Sequence, residues 1–218
     1  MPSRNPYPIM GPESVDKKYN KINLSTSNHQ LPNDIDYDTL SEYIDDYVQN
    51  QDASYAIGGY LERRNLYGLS DHFSTGEPRD IHLGVDIWTY AGHRIYAPID
   101  GVIHSFAYND QHLDYGYTLI LEHHTVHGSF HTLYGHLSSE YFEQWQIGTA
   151  IKKGNPIASL GDRKENGGWP PHLHFQVVKD MGDWHGDYPG VCKRSELDYY
   201  KQNCPDPAGL IKTQNLLP

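Results

Sequence analysis

IHLGVDIWTY (residues 81–90) and RIYAPIDGVIHSFAYN (residues 94–109) decide how the chain is read. Short runs of β-branched and aromatic residues are cut by Gly, Pro, Asn and Asp. PIDG (residues 98–101) reads as a turn between two strands. The pattern recurs on both sides, in SYAIGGYL (54–61), YGYTLILEHH (115–124), SFHTLYGHL (129–137), PIASLG (156–161) and HLHFQVV (172–178). Segments of this length, period and punctuation predict a mainly β chain of antiparallel hairpins. SSEYFEQW (138–145) allows one helical turn or two.

Upstream the texture changes. Residues 1 to about 35 are rich in Pro, Asn and Ser and read as an extended arm. DYDTLSEYIDDYVQN (36–50) then places Leu40, Tyr43, Ile44, Tyr47 and Val48 at helical spacing, with Asp36 or Asp38 available as a cap. The expected organisation is an arm with a short amphipathic helix over 1–52, packed on a domain spanning 53–218. The totals agree with a globular chain. It has 218 residues with 37% hydrophobic and 21% charged content, and 18 Tyr, a residue that suits twisted sheets. A net charge of -11 without a Lys/Arg cluster argues against nucleic acid as a partner. No run approaches the ~20 apolar residues of a membrane span, so membrane insertion is not expected. The opening stretch lacks the apolar segment of a secretory signal, which points to the cytoplasm, or to the periplasm or exterior if a leader is missing from this chain. Cys192 and Cys204 are open to a lone disulfide or two free thiols.

Fourteen His in an acidic chain are informative only by position. IHLGVDIW places His82 and Asp86 four apart; on one strand both would face one side, with Gly84 between them leaving room for an ion. LYGHLSS carries His136. GGWPPHLHFQVV carries His172 and His174, two apart and on one face of a strand. Two imidazoles and a carboxylate satisfy zinc, which in catalytic sites keeps a fourth position for water. Such a water becomes a nucleophile near neutral pH, and further His can serve as base and acid. Singly each motif is weak; in this order and spacing they reinforce one another.

The combination resembles the lysostaphin-like zinc metallopeptidases, which include LytM. HLGVDIWTYAGHRIYAPIDGVIHSF (82–106), GYTLILEHH (116–124), FHTLYGHLSS (130–139), IKKGNPIASLGD (151–162) and PPHLHFQV (170–177) follow that family's order, and DPAGLI (206–211) resembles its closing segment. The resemblance implies a narrow groove floored by antiparallel sheet. It makes His82, Asp86 and His174 the ligands of a Zn2+ ion and His136 and His172 the catalytic histidines outside the ligand set, His172 as base and His136 orienting water or steadying an oxyanion. It implies hydrolysis of peptide bonds, with peptidoglycan peptides as the default substrate. The decorated GDRKENGGWPP (161–171), together with EYIDDYVQN, SFAYNDQHLDYG and CPDP, is similar to the variant found beside class III aminotransferase-like modules. Two other functions stay open: a binding or activator module that keeps its ligands, and a cytosolic amide hydrolase of small-molecule metabolism.

Family members that place a Tyr shortly before the first ligand differ from this chain, which has TGEPRD (75–80); Arg79 is the substitute donor on that stretch. Arg79, Tyr134 and Trp169 are the groove candidates, Trp169 either walling the groove or anchoring its loop, and Tyr134 either lining the groove or packing beneath the site. Asn28, Asn33 and Asp34 are candidates to plug the metal's open position from the arm. His123, His124, His127 and His131 read as edge or loop histidines, and His104 and His112 as solvated.

Overall fold

The computed structural model of the chain describes residues 5–31, 35–49, 54–66, 77–126 and 128–212. Asn33, Asp34, His127 and the start of TGEPRD lie outside these. The strands, in chain order, are β1 (Tyr19–Lys21), β2 (Tyr55–Gly58), β3 (Arg79–His82), β4 (Val85–Trp88), β5 (Arg94–Tyr96) and β6 (Gly101–Asn109), then β7 (Gly116–Thr125), β8 (Gly128–Leu137), β9 (Ala150–Ile151), β10 (Pro156–Ser159), β11 (His172–Val178) and β12 (Val191–Lys193). Helices α1 (Tyr37–Gln49) and α2 (Leu197–Asn203) flank them, and SEYFEQ (Ser139–Gln144) is a 3-10 helix. Among the described residues the principal sheet runs β1-β2-β4-β11-β8-β7-β6-β9, with β10-β5 and β12-β3 as two-stranded sheets. The architecture is mainly β and, apart from the parallel β1–β2 pair, antiparallel.

Period-2 alternation sorts the sheet's two faces. On β11, Leu173, Phe175 and Val177 enter a large core with Val85 and Ile87 of β4, closed over by Ile95 of β5 and Ile157 and Ala158 of β10. His172, His174 and Gln176 therefore point to the other face, as do Asp86 and Trp88. That second face is backed by Ile120, Leu133, Tyr188 and Cys204. At roughly 25 cal/mol per Å² of apolar surface, such buried rows are what hold the two faces in register.

The arm is built into this framework. β1 pairs with β2 in register Tyr19↔Tyr55, and the two rings stack at 4.6 Å. Ile9 and Met10 sit in the large core. Helix α1 is capped by Asp36, whose Oδ1 accepts from the Thr39 amide at 2.8 Å. Its Leu40 and Ile44 join Ile22, Leu24, Trp88 and Trp169 in a separate cluster. No helix among the described residues is long and apolar enough to cross a membrane. Cys192 and Cys204 are buried free thiols, pushed up to about 12 by burial.

Candidate metal centre

His82 and Asp86 do not lie on one strand. His82 ends β3, which pairs with β12, whereas Asp86 belongs to β4, which pairs with β11. The chain passes from one sheet to the other at Leu83-Gly84. A Cβ on Gly84 would come within 2.7 Å of the His174 imidazole and 2.8 Å of the Phe175 carbonyl oxygen. Gly84 thus makes room for the third imidazole rather than for an ion. Opposite Asp86, β11 places His174 directly in register, and on its other side His174 faces Gly135 of β8.

Three atoms converge there. His82 Nε2 lies 3.0 Å from His174 Nδ1 and 3.2 Å from Asp86 Oδ1, and His174 Nδ1 lies 3.1 Å from that same oxygen. All three residues are buried. Protons do not bridge these gaps, because the far side of each ring uses them. His82 Nδ1 faces the Gly59 carbonyl at 3.0 Å, and a carbonyl only accepts, so Nδ1 carries the hydrogen and Nε2 a lone pair. Gln176 gives its amide NH2 to the Pro189 carbonyl at 3.1 Å, so its Oε1 faces His174 Nε2 at 2.9 Å and must accept from it, which frees Nδ1. Asp86 Oδ2 is taken by Arg64 Nη1 at 2.5 Å, which turns Oδ1 inward. Arg64, only 2% exposed, is also held by Glu62 at 2.7 Å and lies over the Trp88 ring.

Two lone pairs and a carboxylate oxygen thus face one point with no hydrogen among them, a repulsive arrangement that a cation relieves. Bonds of ~2.0–2.2 Å in a tetrahedron set ligand atoms roughly 3.3–3.6 Å apart, near the spacings present. Two imidazoles with one carboxylate suit zinc better than magnesium or calcium, which take oxygen ligands. The residues fit the ion.

His172 and His136 stand beside the cluster with the same protonation logic. Nδ1 of His172 donates to the Pro170 carbonyl at 2.8 Å, leaving its Nε2 3.9 Å from Asp86 Oδ1. Trp88 stacks on its other face at 5.4 Å. Nδ1 of His136 donates to the Asn166 carbonyl at 2.8 Å, and its ring lies 4.1 Å from that of His172. Simple alternation would send His136 to the core face, since Gly135 shares the face of His174. A bulge in β8 corrects this: Tyr117 pairs with Leu137 but Leu119 with Tyr134, and His136 adopts φ 62°. That left-handed backbone costs on the order of 1–3 kcal/mol and is clamped by the Tyr115 carbonyl and the Gly161 amide.

Burial pushes His82 and His172 down to about 4 and His136 well below the usual histidine value, with Arg64 and neighbouring imidazoles adding to the effect. Burial alone would raise the Asp86 carboxyl, but the adjacent His82 and the Arg64 guanidinium hold it well below the carboxylate range.

The five histidine and aspartate candidates come together around one cavity of about 260 Å3, which Arg79 and Trp169 also line. Arg79 additionally donates to the Val191 carbonyl at 3.1 Å. Trp169 both walls the cavity and ties down its loop, its carbonyl accepting from Asn166 at 2.9 Å. Tyr134 does not join them. It faces Phe175 in the core, fully buried, because it is the core-facing partner of Gly135 on β8. Asn28 is not a plug either: it does not line the cavity, and its Oδ1 accepts from the Gln30 amide at 3.0 Å while its NH2 donates to the Asn23 carbonyl and the Tyr43 hydroxyl. The remaining histidines divide: His123 and His131 are buried in interior strands and His104 is half-buried on β6, whereas His124 is exposed, as is His112 at the edge of the cavity.

Sequence reasoning missed Arg64, Gln176 and Tyr115. Arg64 is charge-paired to a ligand 22 positions away. Gln176 continues the β11 row of His172 and His174, so alternation could have found it. Tyr115, one of 18 tyrosines, brings its phenol oxygen 3.4 Å from His174 Nε2 and packs where a Cβ on Gly135 would otherwise stand. No sequence signal distinguishes it.

Comparison with known proteins agrees with this geometry. The profile of Peptidase family M23 matches residues 80–185. No curated protein sequence matches the chain. Among solved structures, a zinc-containing peptidase from Vibrio cholerae is 31% identical over 47% of this chain and 28% of its own, with a TM-score of 0.38. An M23 peptidase from Pseudomonas aeruginosa is 21% identical over 60% and 44%, with a TM-score of 0.40. The catalytic domain of lysostaphin from Staphylococcus simulans is 20% identical over 67% and 92%, with a TM-score of 0.43. The chain thus spans less than half the length of the first two proteins. The profile match falls on the strands that carry His82, Asp86, His136, His172 and His174, so residues 80–185 are similar to Peptidase family M23 at the very segments that build the site.

Proposed function

We propose that the chain is a zinc-dependent metalloendopeptidase, with His82, Asp86 and His174 holding the ion and peptidoglycan peptides as the default substrate. The observation that carries this reading is the meeting of His82 Nε2, His174 Nδ1 and Asp86 Oδ1 at 3.0–3.2 Å with their lone pairs turned inward. Bound zinc supplies Lewis acidity, lowering the pKa of a coordinated water toward ~7. The protein's own groups do the rest. His172, neutral through burial and fixed by Pro170, presents Nε2 to accept the proton of the attacking water and return it to the leaving amine. Asp86 steadies the transient imidazolium across 3.9 Å. His136, a ring's thickness from His172 and with its Nδ1 hydrogen given to Asn166, presents its Nε2 lone pair to orient water. Arg64 keeps Asp86 ionised and aimed.

Zinc content and hydrolysis of muropeptides and short peptides by wild type and His172→Ala test the reading. Both proteins should bind zinc alike, and the variant should lose ~10²–10⁴-fold in kcat. A zinc-loaded wild type that cleaves no peptide ends the proposal.

A further inference from the structure

The cavity has a second side that the metal chemistry does not use. Leu24, Leu40, Leu66, Trp88 and Trp169 line it and belong to one apolar cluster, with Leu113 packed against them. Leu24 follows β1, Leu40 lies on α1 and Leu66 follows β2. These three fall outside residues 80–185, so this part of the wall comes from segments beyond the profile match, while Trp88, Trp169 and Leu113 lie within it. It is continuous with the metal cluster: Trp88 stacks on His172 and lies two positions from Asp86 on the same face of β4.

We infer that this wall is a specificity subsite for one bulky apolar side chain, Leu or Phe in class, on the residue next to the scissile bond. The inference rests on the peptidase reading above. A cavity of about 260 Å3 falls below the ~300 Å3 lower bound of drug-sized sites, so it holds one side chain with its peptide unit rather than a long apolar stretch. Glycine or alanine at that position leaves the leucines against water. A charged side chain loses its hydration there without gaining a partner from the wall. Filling an apolar pocket discriminates by ~10–200-fold per lost group, so Leu or Phe should exceed Gly at the favoured position by at least ~10-fold in kcat/KM.

Two measurements on the zinc-loaded full chain separate this subsite from the peptidase reading. The first compares binding of N-acetyl-leucine hydroxamate and N-acetyl-glycine hydroxamate by calorimetry, which needs no turnover. The leucine compound should bind at least ~10-fold more tightly. The second measures cleavage of peptides with Gly, Ala, Leu, Phe, Asp or Lys on either side of the bond. Cleavage without preference for Leu or Phe, or equal binding of the two hydroxamates, overturns the subsite and leaves the peptidase standing. Tighter leucine hydroxamate binding with no peptide cleaved supports the subsite and overturns the peptidase. In Leu66→Ser, the leucine-to-glycine binding ratio should fall at least ~3-fold with glycine hydroxamate unchanged. An unaltered ratio in folded Leu66→Ser overturns the assignment of Leu66, and the wild-type pair decides the subsite if that variant does not fold.

Discussion

Two groups of histidines are buried to nearly the same degree. His82 and His172 sit at the proposed metal centre, and His123 lies on β7, two strands away from the β11 of His172 in the principal sheet. Burial pushes all three down to about 4. What separates them is where the second ring nitrogen looks. His123 donates from Nδ1 to the Asp100 carbonyl at 2.8 Å and accepts at Nε2 from the Thr132 hydroxyl at 2.7 Å, so its hydrogen-bonding capacity is consumed internally. His82 and His174 anchor one nitrogen in the same way but turn the other toward each other and toward Asp86. Burial and a depressed pKa therefore do not mark a site in this protein; an unspent lone pair shared with its neighbours does.

The comparison breaks most sharply at the ligands. Replacing His174 by Ala should cost zinc affinity more than the ~10–100-fold typical of outer-sphere changes, measured by chelator competition. Asp86→Ala should do so too and also lower thermal stability, because the buried Arg64 then loses its carboxylate partner at the site; breaking one side of a buried pair costs ~3–5 kcal/mol. His123→Gln should leave zinc stoichiometry and affinity unchanged. Loss of zinc from His123→Gln, or retention in His174→Ala, would reverse the distinction.

The next effect is acid sensitivity, and here His123 is the cleaner probe. An unfolded chain protonates this imidazole near 6.5, whereas the folded one resists until about 4. Above ~6.5 both states are neutral and His123 contributes no pH dependence. As the pH falls from 6.5 to 4 the unfolded state alone takes up the proton, so stability is lost, by up to about 3 kcal/mol. Urea unfolding of the zinc-free protein at pH 7 and pH 4.5 should show this loss. His123→Gln, whose amide can keep both a donor and an acceptor, should remove the share of His123 and leave that of the other buried histidines. Equal pH dependence in the two proteins would mean that the folded state admits the proton.

Much of the fold and part of the site could be read directly from the chain. The alternation in HLHFQVV puts His172 and His174 on one face because a strand has period 2, and the helix over 36–50 follows from Leu40 and Ile44 with Asp36 before them. What escaped reading depends on departures from that regularity or on distance. His136 reaches the site only through a bulge and a left-handed backbone, which no periodicity reports. The step at Leu83-Gly84 between two sheets looks like one continuous strand. Tyr134 sits beside Gly135 and His136 in sequence, yet the pleat sends it into the core. The arm's Pro, Asn and Ser content obscures Tyr19 and Leu24, whose packing partners Tyr55 and Trp88 lie dozens of positions away. Arg64 was unreadable for the same reason: an ion pair leaves no periodic trace.

Gln176 gives the smallest and most specific test of the comparison, since it is the group that decides which His174 nitrogen keeps its lone pair. Its Oε1 can only accept, and its amide is committed to Pro189 and the Cys204 sulfur. Gln176→Leu removes the acceptor while keeping bulk, so His174 Nε2 loses its fixed hydrogen bond and the Nδ1-protonated tautomer, which cannot bind metal at Nδ1, becomes accessible. Zinc affinity should fall ~10–100-fold, the range for second-layer partners of a ligating histidine. Gln176→Glu restores an acceptor at the same place and should recover most of the affinity above the range where the new carboxyl protonates. If Leu and Glu weaken zinc equally, Gln176 matters for packing and not for the tautomer. The contrast with His123 would then rest on His82 and the Gly59 carbonyl alone.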